Sequence, residues 1–170
     1  METGFQYNDG GRKKAGFKGL TGDCVTRSIS IATGMPYESV YSALNFLAKD
    51  ERIKKGAHRS NSRAGVHRKT YEKYLRALGW KWVPTMQIGS GCKVHLIADE
   101  LPSGKIICRL SGHLTCVIDG VIHDTFDPRR EIHSCRPNDG TLKLGEWINH
   151  ANNLICSIQR RCVYGYFIKE

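Results

Sequence analysis

The chain has 170 residues, of which 40% are hydrophobic, so it can form one domain with a buried core and is not disordered in composition. Its 26 lysines and arginines against 16 aspartates and glutamates give a net charge of +10, which indicates either a polyanionic partner or simply a basic surface. Without an apolar run of about 18 residues or a visible signal peptide, we expect neither a membrane protein nor a secreted one.

The first half of the chain is expected to be helical after a glycine-rich start. Residues 1–22 are rich in glycine and polar residues, and five glycines lie between positions 10 and 22 inclusive. This segment is predicted to form an irregular arm. A first helix follows, with Asp23 as a suitable N-cap and Gly34 as its stop. The other elements predicted before residue 105 are a helix after Pro36, a helix at about 66–78, a short strand at 80–83 and one or two helical turns at 94–101.

From residue 105 onward the pattern is mainly that of strands. The predicted elements are strands at 106–110, 113–118, 121–126 and 162–168, and a helix near 141–151. The Asp119-Gly120 pair is typical of a two-residue type I′ hairpin turn, because both turn positions need a positive φ. Helices followed by antiparallel strands predict an α+β fold, in a single domain over 1–170.

The seven cysteines show no pair at C-x-x-C spacing, which argues against a zinc ribbon or a thioredoxin-type motif. Three of them, Cys108, Cys116 and Cys162, lie in apolar strand-like runs and are expected to act as small buried hydrophobic residues. Together with the missing signal peptide, this pattern predicts reduced thiols in a cytoplasmic protein.

Cys24 is the cysteine with the best setting for chemistry. It follows the predicted N-cap and therefore lies in the first turn of a helix. Unpaired backbone N–H groups and the positive end of the helix dipole stabilise a thiolate there. The same N–H groups can donate to an oxyanion during acyl transfer.

The predicted hairpin brings an imidazole and a carboxylate together. With a two-residue turn at 119–120, Thr115 pairs with Asp124, and His113 lies diagonal to Asp124 on the same face. His123 then points to the other face. A three-residue loop would reverse this and place His123 beside His113 instead. With the two-residue turn, the sequence offers a nucleophile, a base and an orienting acid.

This arrangement resembles the papain-like cysteine hydrolase fold, in which the cysteine starts a helix and the histidine and aspartate lie on adjacent strands. The segments 7–11 (Tyr-Asn-Asp-Gly-Gly) and 22–24 (Gly-Asp-Cys) are similar to the approach to the nucleophile in NlpC-like cell-wall peptidases. Segments 22–29 and 113–125 also resemble small, poorly characterised proteins of bacteria and their phages. If this protein is itself encoded by a phage, its expected localisation is the host cytoplasm.

The resemblance implies that Cys24 is the nucleophile, His113 the general base and Asp124 its orienting partner, with no cofactor. The expected substrate is a peptide or protein, and the basic composition favours an acidic one. The chain departs from these families in two places: Val25-Thr26 replaces the small Ser-Gly pair of NlpC-like enzymes, and Lys18 stands where papain has its oxyanion glutamine. The sequence therefore leaves three candidates for the group that donates a hydrogen bond to the oxyanion: Tyr7, Thr21 and a backbone N–H.

Two other functions remain open at this point. The same three residues could serve an acyltransferase or transglutaminase-like reaction, in which an amine replaces water. A basic segment at 52–73, with only Glu72 opposing its eight lysines and arginines, could instead bind nucleic acid on a fold without chemistry. The aromatic residues at its end, Tyr71 and Tyr74, follow the buried helical stripe. The remaining histidines show no metal-ligand spacing, so we expect no metal.

Overall fold

The computed structural model describes residues 3–87, 89–143 and 146–169. The chain divides into two compact units. The larger unit comprises the chain up to Asp127 and the segment from Cys162 onward, and the smaller unit is Pro128–Arg161. Helices and two sheets make this a mixed α+β protein, as the order of elements predicted. The single domain over 1–170 stays a prediction.

The three helices lie where the apolar spacing predicts them: α1 at Cys24–Thr33, α2 at Tyr37–Ala48 and α3 at Arg68–Ala77. As predicted, α1 stops at Gly34, which has a φ of 71° and donates its N–H to the carbonyl of Ser30. Glycine takes this left-handed conformation without strain. Asp23 occupies the N-cap position, but its side chain makes no capping hydrogen bond. Asp23 is therefore the N-cap by position, as predicted, but its side chain does not cap the helix.

Among the described residues, nine strands form the two sheets: β1 Gly4–Tyr7, β2 Lys81–Pro84, β3 Lys105–Leu110, β4 His113–Ile118, β5 Val121–Asp124, β6 Glu131–Pro137, β7 Glu146–Asn149, β8 Leu154–Arg160 and β9 Gly165–Ile168. The larger unit contains six of them in the order β1-β5-β4-β3-β9-β2. A 3₁₀ turn at Ala98–Glu100 supplies the helical turn predicted at 94–101.

Strand β1 overturns two expectations. It pairs in parallel with β5, Phe5 opposite Ile122, whereas the other neighbours in this sheet are antiparallel. The sheet is therefore mixed and not purely antiparallel, and residues 1–22 are not wholly irregular. β1 lies at the edge of the sheet and most of its side chains are exposed. It therefore lacks the alternation of buried and exposed side chains on which the prediction of a half-buried strand depends.

The hairpin between β4 and β5 has the predicted turn. Asp119 and Gly120 both have positive φ, 48° and 78°, and Ile118 pairs directly with Val121. The register that follows pairs Cys116 with His123. Since side chains alternate along a strand, His123 lies on the face opposite to Asp124.

Packing of α1 against β4 fixes the start of the helix beside the start of that strand. Ile29 of α1 is fully buried in a core shared with Leu75 of α3 and Phe167 of β9. The Ser28 hydroxyl donates to the Leu114 carbonyl over 3.0 Å, a direct bond from α1 to β4. A second core, containing Val117, covers the other face of the sheet.

The smaller unit is an antiparallel sheet in the order β6-β8-β7. The helix expected near 141–151 is wrong, because Glu146–Asn149 pairs as strand β7 with β8. Leu142 and Trp147 suggested a helical stripe, but both side chains are about half exposed, 54% and 44%. Along the described strands of this unit, the buried hydrophobic residues are Ile155 and Cys156 of β8.

Four cysteines form two disulfides, so the expectation of reduced thiols is wrong for them. Cys92 bonds to Cys162 within the larger unit and Cys135 to Cys156 within the smaller one. The second pair is set by strand register, since Cys135 lies directly opposite Cys156. The partners are 70 and 21 residues apart, so no local motif signalled them. The free thiols are Cys24, Cys108 and Cys116.

Among the described residues, no helix has both the length and the apolar character that a bilayer crossing requires.

Candidate active site

Cys24 and His113 line one cleft of the larger unit, with a volume of about 750 Å³. Cys24 is the first residue of α1 and His113 is the first residue of β4. The structure therefore brings together two side chains that are 89 positions apart in the sequence. Tyr71 of α3 and Tyr164, just before β9, form other parts of the cleft wall.

The thiol of Cys24 is polarised by its neighbours. Burial raises its pKa, but a hydrogen bond with His113 and another with the backbone of Leu114 lower it, and the positive charges of His113 and Arg27 act in the same direction. The net result is a pKa below the ordinary cysteine value. The surroundings of Cys24 therefore favour the thiolate, which is the nucleophilic form.

His113 joins the thiol to a carboxylate. Its Nε2 lies 2.7 Å from Oδ2 of Asp124, so Nδ1 is the ring nitrogen left for Cys24. Burial lowers the pKa of His113, but its hydrogen bonds with Asp124 and Cys24 raise it to about 9. Burial raises the pKa of Asp124, but the hydrogen bond and charge of His113, together with hydrogen bonds from Thr115 and Thr125, lower it below its ordinary value. These pKa shifts favour a protonated His113 between an ionised Asp124 and an ionised Cys24.

A second layer of charge, which sequence reasoning missed, holds Asp124. Arg27 lies 3.5 Å from Oδ1 of Asp124 and also pairs with Asp23. Asp23 in turn accepts a hydrogen bond of 2.6 Å from the Tyr37 hydroxyl and contacts Arg12 at 3.1 Å. The carboxylate of Asp23 thus anchors Arg27 instead of capping the helix. The sequence contains a signal for this ion pair, because Asp23 and Arg27 are four residues apart and an arginine on a buried helix face needs a partner.

An aromatic ring covers one side of the imidazole. The ring of Phe126 lies 5.0 Å from that of His113 between centroids, inclined by 41°. Phe126 is 51% exposed and also lines the cleft. It thereby limits the orientations open to His113, a role that the sequence did not indicate.

The three candidates for the oxyanion donor are Thr21, Tyr7 and a backbone N–H group, and they have different positions. Thr21 lines the cleft. Tyr7 is 67% exposed on β1 and lies outside the residues that line the cleft. Lys18 is exposed, and its backbone carbonyl accepts a hydrogen bond of 2.8 Å from Arg12. The third candidate is a backbone N–H group of the first turn of α1, which begins with Cys24 and whose N–H groups have few acceptors within the helix.

The basic segment 52–73 is partly committed to the fold. Up to residue 67 it contains no helix or named strand, and it then enters α3. Arg59 donates to the carbonyls of Ala48 and Lys49 at the end of α2, and Arg68 pairs with Glu72. Its aromatic residues, Tyr71 and Tyr74, are buried as expected. Nucleic-acid binding through this segment stays a prediction.

The other histidines stand apart from the Cys24 cleft, except His67. His67 lines that cleft and contacts the carbonyl of His58 over 2.8 Å. His95 faces Glu100, and His123 lies 3.5 Å from the amide nitrogen of Asn8. Within the part of the chain that the structure describes, no group of three or more His, Cys, Asp and Glu residues could hold a metal ion.

Comparison of the chain with family models, with curated proteins and with solved structures finds no match.

Proposed function

We propose that the larger unit is a papain-like cysteine hydrolase that cleaves an amide bond in a peptide or protein. The observation that carries the proposal is the position of His113, which bonds the Asp124 carboxylate through one ring nitrogen and the Cys24 thiol through the other. A buried polar network with a purely structural role has no need of a thiol with a lowered pKa at the mouth of a cleft.

The placement of the three residues supports the papain-like assignment. Cys24 starts a helix, and His113 and Asp124 lie on adjacent antiparallel strands packed against that helix. The order along the chain is Cys, His, Asp. The chemistry of this site, and not the fold, is what supports the function, since one fold can host many activities.

In the first half of the reaction, the Cys24 thiolate attacks the carbonyl carbon of the scissile amide. The carbonyl π electrons move to oxygen, and N–H groups at the start of α1 stabilise the resulting oxyanion. The His113 imidazolium gives its proton to the leaving nitrogen, the carbon–nitrogen bond breaks, and the amine departs. A thioester between Cys24 and the acyl group remains.

In the second half, water attacks the thioester while neutral His113 accepts one of its protons. The carbon–sulfur bond breaks, the carboxylic acid leaves, and the thiolate–imidazolium pair is restored. Asp124 fixes the ring so that the nitrogen facing Cys24 can exchange protons in both halves, and it stabilises the charged imidazolium.

Trapping of the acyl-enzyme tests the proposal. The unreduced protein would be incubated with panels of peptides, muropeptides and ubiquitin-like proteins, quenched in acid and measured by intact mass. We expect a covalent adduct on the wild-type protein with at least one substrate, mapped to Cys24, and none on Cys24→Ala. Cys116→Ala is the matched control, because it removes a free thiol outside the cleft. Turnover that persists in Cys24→Ala would contradict the proposal.

The same experiment separates hydrolysis from transfer. Product masses show a free carboxylate when water resolves the thioester, and an amide to an added amine when the enzyme is an acyltransferase. Both outcomes require the Cys24 adduct, so the assignment of the nucleophile does not depend on which acceptor is used.

A further inference from the structure

In the part of the chain that the structure describes, the permanent charges that line the cleft around Cys24 are all positive. Its described lining residues include Arg27, Arg68 and Arg109, and no aspartate or glutamate is among them. A wall with charge of one sign attracts a ligand of the opposite charge, more strongly where the surroundings exclude water. The sign of the charge therefore points to an anionic group on the substrate.

Two of the three arginines already have carboxylate partners. Arg27 is buried and pairs with Asp23 and Asp124. Arg68 pairs with Glu72 on the same helix, four residues away. Neither guanidinium is fully available to a substrate carboxylate.

Arg109 is different. It is half-buried on β3, at the position that pairs with Leu114, next to His113. Its guanidinium lies over the ring of Tyr164 at 5.6 Å, and no carboxylate of the described residues lies within ion-pair distance of it. A half-buried guanidinium held by an aromatic ring is well placed to bind a carboxylate, because its planar donor groups match the two oxygens.

A second groove of about 330 Å³ continues from the same residues. It shares Arg68, Arg109 and Tyr164 with the Cys24 cleft and has Trp82 and Met86 in its wall. The two depressions together offer space for an extended chain, with Arg109 at the place where they meet.

We propose that the cleft binds an extended peptide with an acidic side chain, and that Arg109 determines this specificity by pairing with the substrate carboxylate. The inference rests on the proposed function, since it names the substrate class of that same site. Arg109 is a specificity residue in this account and takes no part in the proton transfers.

Protection of Cys24 from alkylation tests the proposal without a known substrate. The probes are three peptide pools with one central position fixed as glutamate, glutamine or lysine and the flanking positions randomised. The measured quantity is the rate at which iodoacetamide alkylates Cys24 of the unreduced protein at increasing pool concentration. We expect the glutamate pool to protect at about tenfold lower concentration than the glutamine pool, the effect typical of a charge-assisted hydrogen bond.

Three variants identify the residue responsible. Arg109→Gln should abolish the advantage of the glutamate pool, and Arg109→Lys should keep part of it. Arg76→Gln is the matched control, because it removes an exposed charge on α3 outside the cleft and should keep all of it. An unchanged alkylation rate of Cys24 without peptide shows that each variant is folded.

Equal protection by the glutamate and glutamine pools, protection by neither, or an advantage that survives in Arg109→Gln would overturn the specificity proposal. Those outcomes leave the proposed function standing as long as Cys24 is still alkylated preferentially. Loss of that preference in the wild-type protein would overturn the proposed function and the specificity together.

Discussion

The same side chain has opposite properties at the start of α1 and inside the six-stranded sheet. Cys24 lies at the helix start beside His113 and the backbone of Leu114, and its pKa is lowered. Cys108 on β3 and Cys116 on β4 are fully buried among apolar residues. Burial raises the pKa of both, that of Cys116 to about 12.

The difference shows that burial alone does not make a cysteine reactive. Burial raises the pKa in all three places, because a thiolate loses its hydration. Only Cys24 has a hydrogen-bond partner and positive charges close enough to reverse the sign. The four predictions below test whether these neighbours are the cause.

Removal of the imidazole should have the largest effect. In His113→Ala, Cys24 keeps its burial but loses the hydrogen bond and charge that lower its pKa. Since an ordinary thiol is only a few per cent ionised near neutral pH, we expect alkylation of Cys24 by iodoacetamide to slow by about thirtyfold or more. The measurement is the alkylation rate by mass spectrometry. His123→Ala is the control, because that ring faces the other side of the sheet and its loss should change the rate little.

Removal of the carboxylate charge should have a smaller effect of the same sign. Asp124→Asn leaves a side chain of the same size but takes away the anion that raises the pKa of His113. Fewer His113 rings are then protonated, and we expect Cys24 alkylation near neutral pH to slow by about tenfold, one pKa unit of coupling. Asp50→Asn, which changes an exposed carboxylate beyond α2, serves as control. A rate equal to wild type in Asp124→Asn would show that the carboxylate does not act on the thiol.

The pH dependence should distinguish Cys24 from an ordinary thiol. Alkylation of a free thiol rises almost tenfold from about pH 7 to about pH 8, because its pKa lies above that range. The lowered pKa of Cys24 predicts a much flatter rise of its alkylation rate over the same pH range. A nearly tenfold rise in the alkylation rate of Cys24 from about pH 7 to about pH 8 in the native protein would contradict an ion pair between Cys24 and His113.

Amide hydrolysis should fall as the pH rises through about 9, since the His113 imidazolium that protonates the leaving amine loses its proton.

The sheet cysteines should affect packing and not reactivity. Cys116→Ala removes a fully buried sulfur from the core between the sheet and the helices, and we expect a loss of about 1 kcal/mol in unfolding free energy. The rate of Cys24 alkylation should change by less than about twofold, because Cys116 is not among the groups that shift the pKa of Cys24. Chemical denaturation and alkylation on the same sample check both parts. A large change in the alkylation rate would show that the two regions are coupled.

The parts of the fold that follow from local spacing were predictable. Asp119-Gly120 specifies a two-residue turn, and that turn alone places Asp124 rather than His123 beside His113. The Cys24 helix and its stop at Gly34 follow from apolar spacing and a glycine with positive φ. Local signals of this kind depend on a few neighbouring residues, and the structure confirms them.

Features that depend on distant pairing were not predictable in the same way. Strand β1 joins the sheet through β5, more than a hundred residues later, and it has almost no buried side chains to mark it. The disulfide partners Cys92 and Cys162 are 70 residues apart, and the whole of the smaller unit lies between them in the sequence. The contact of Asp23 with Tyr37 needs the packing of two helices. In each case the partner is fixed by tertiary structure and not by sequence spacing.

Competitive alkylation of the three free thiols is the sharpest test of whether His113 activates the Cys24 thiol. The native, unreduced protein would be treated with less than one equivalent of iodoacetamide, denatured, digested and mapped by mass spectrometry. We expect nearly all of the label on Cys24, with Cys108 and Cys116 unmodified until the protein unfolds. Label spread evenly over the three, or found first on a sheet cysteine, would contradict this prediction.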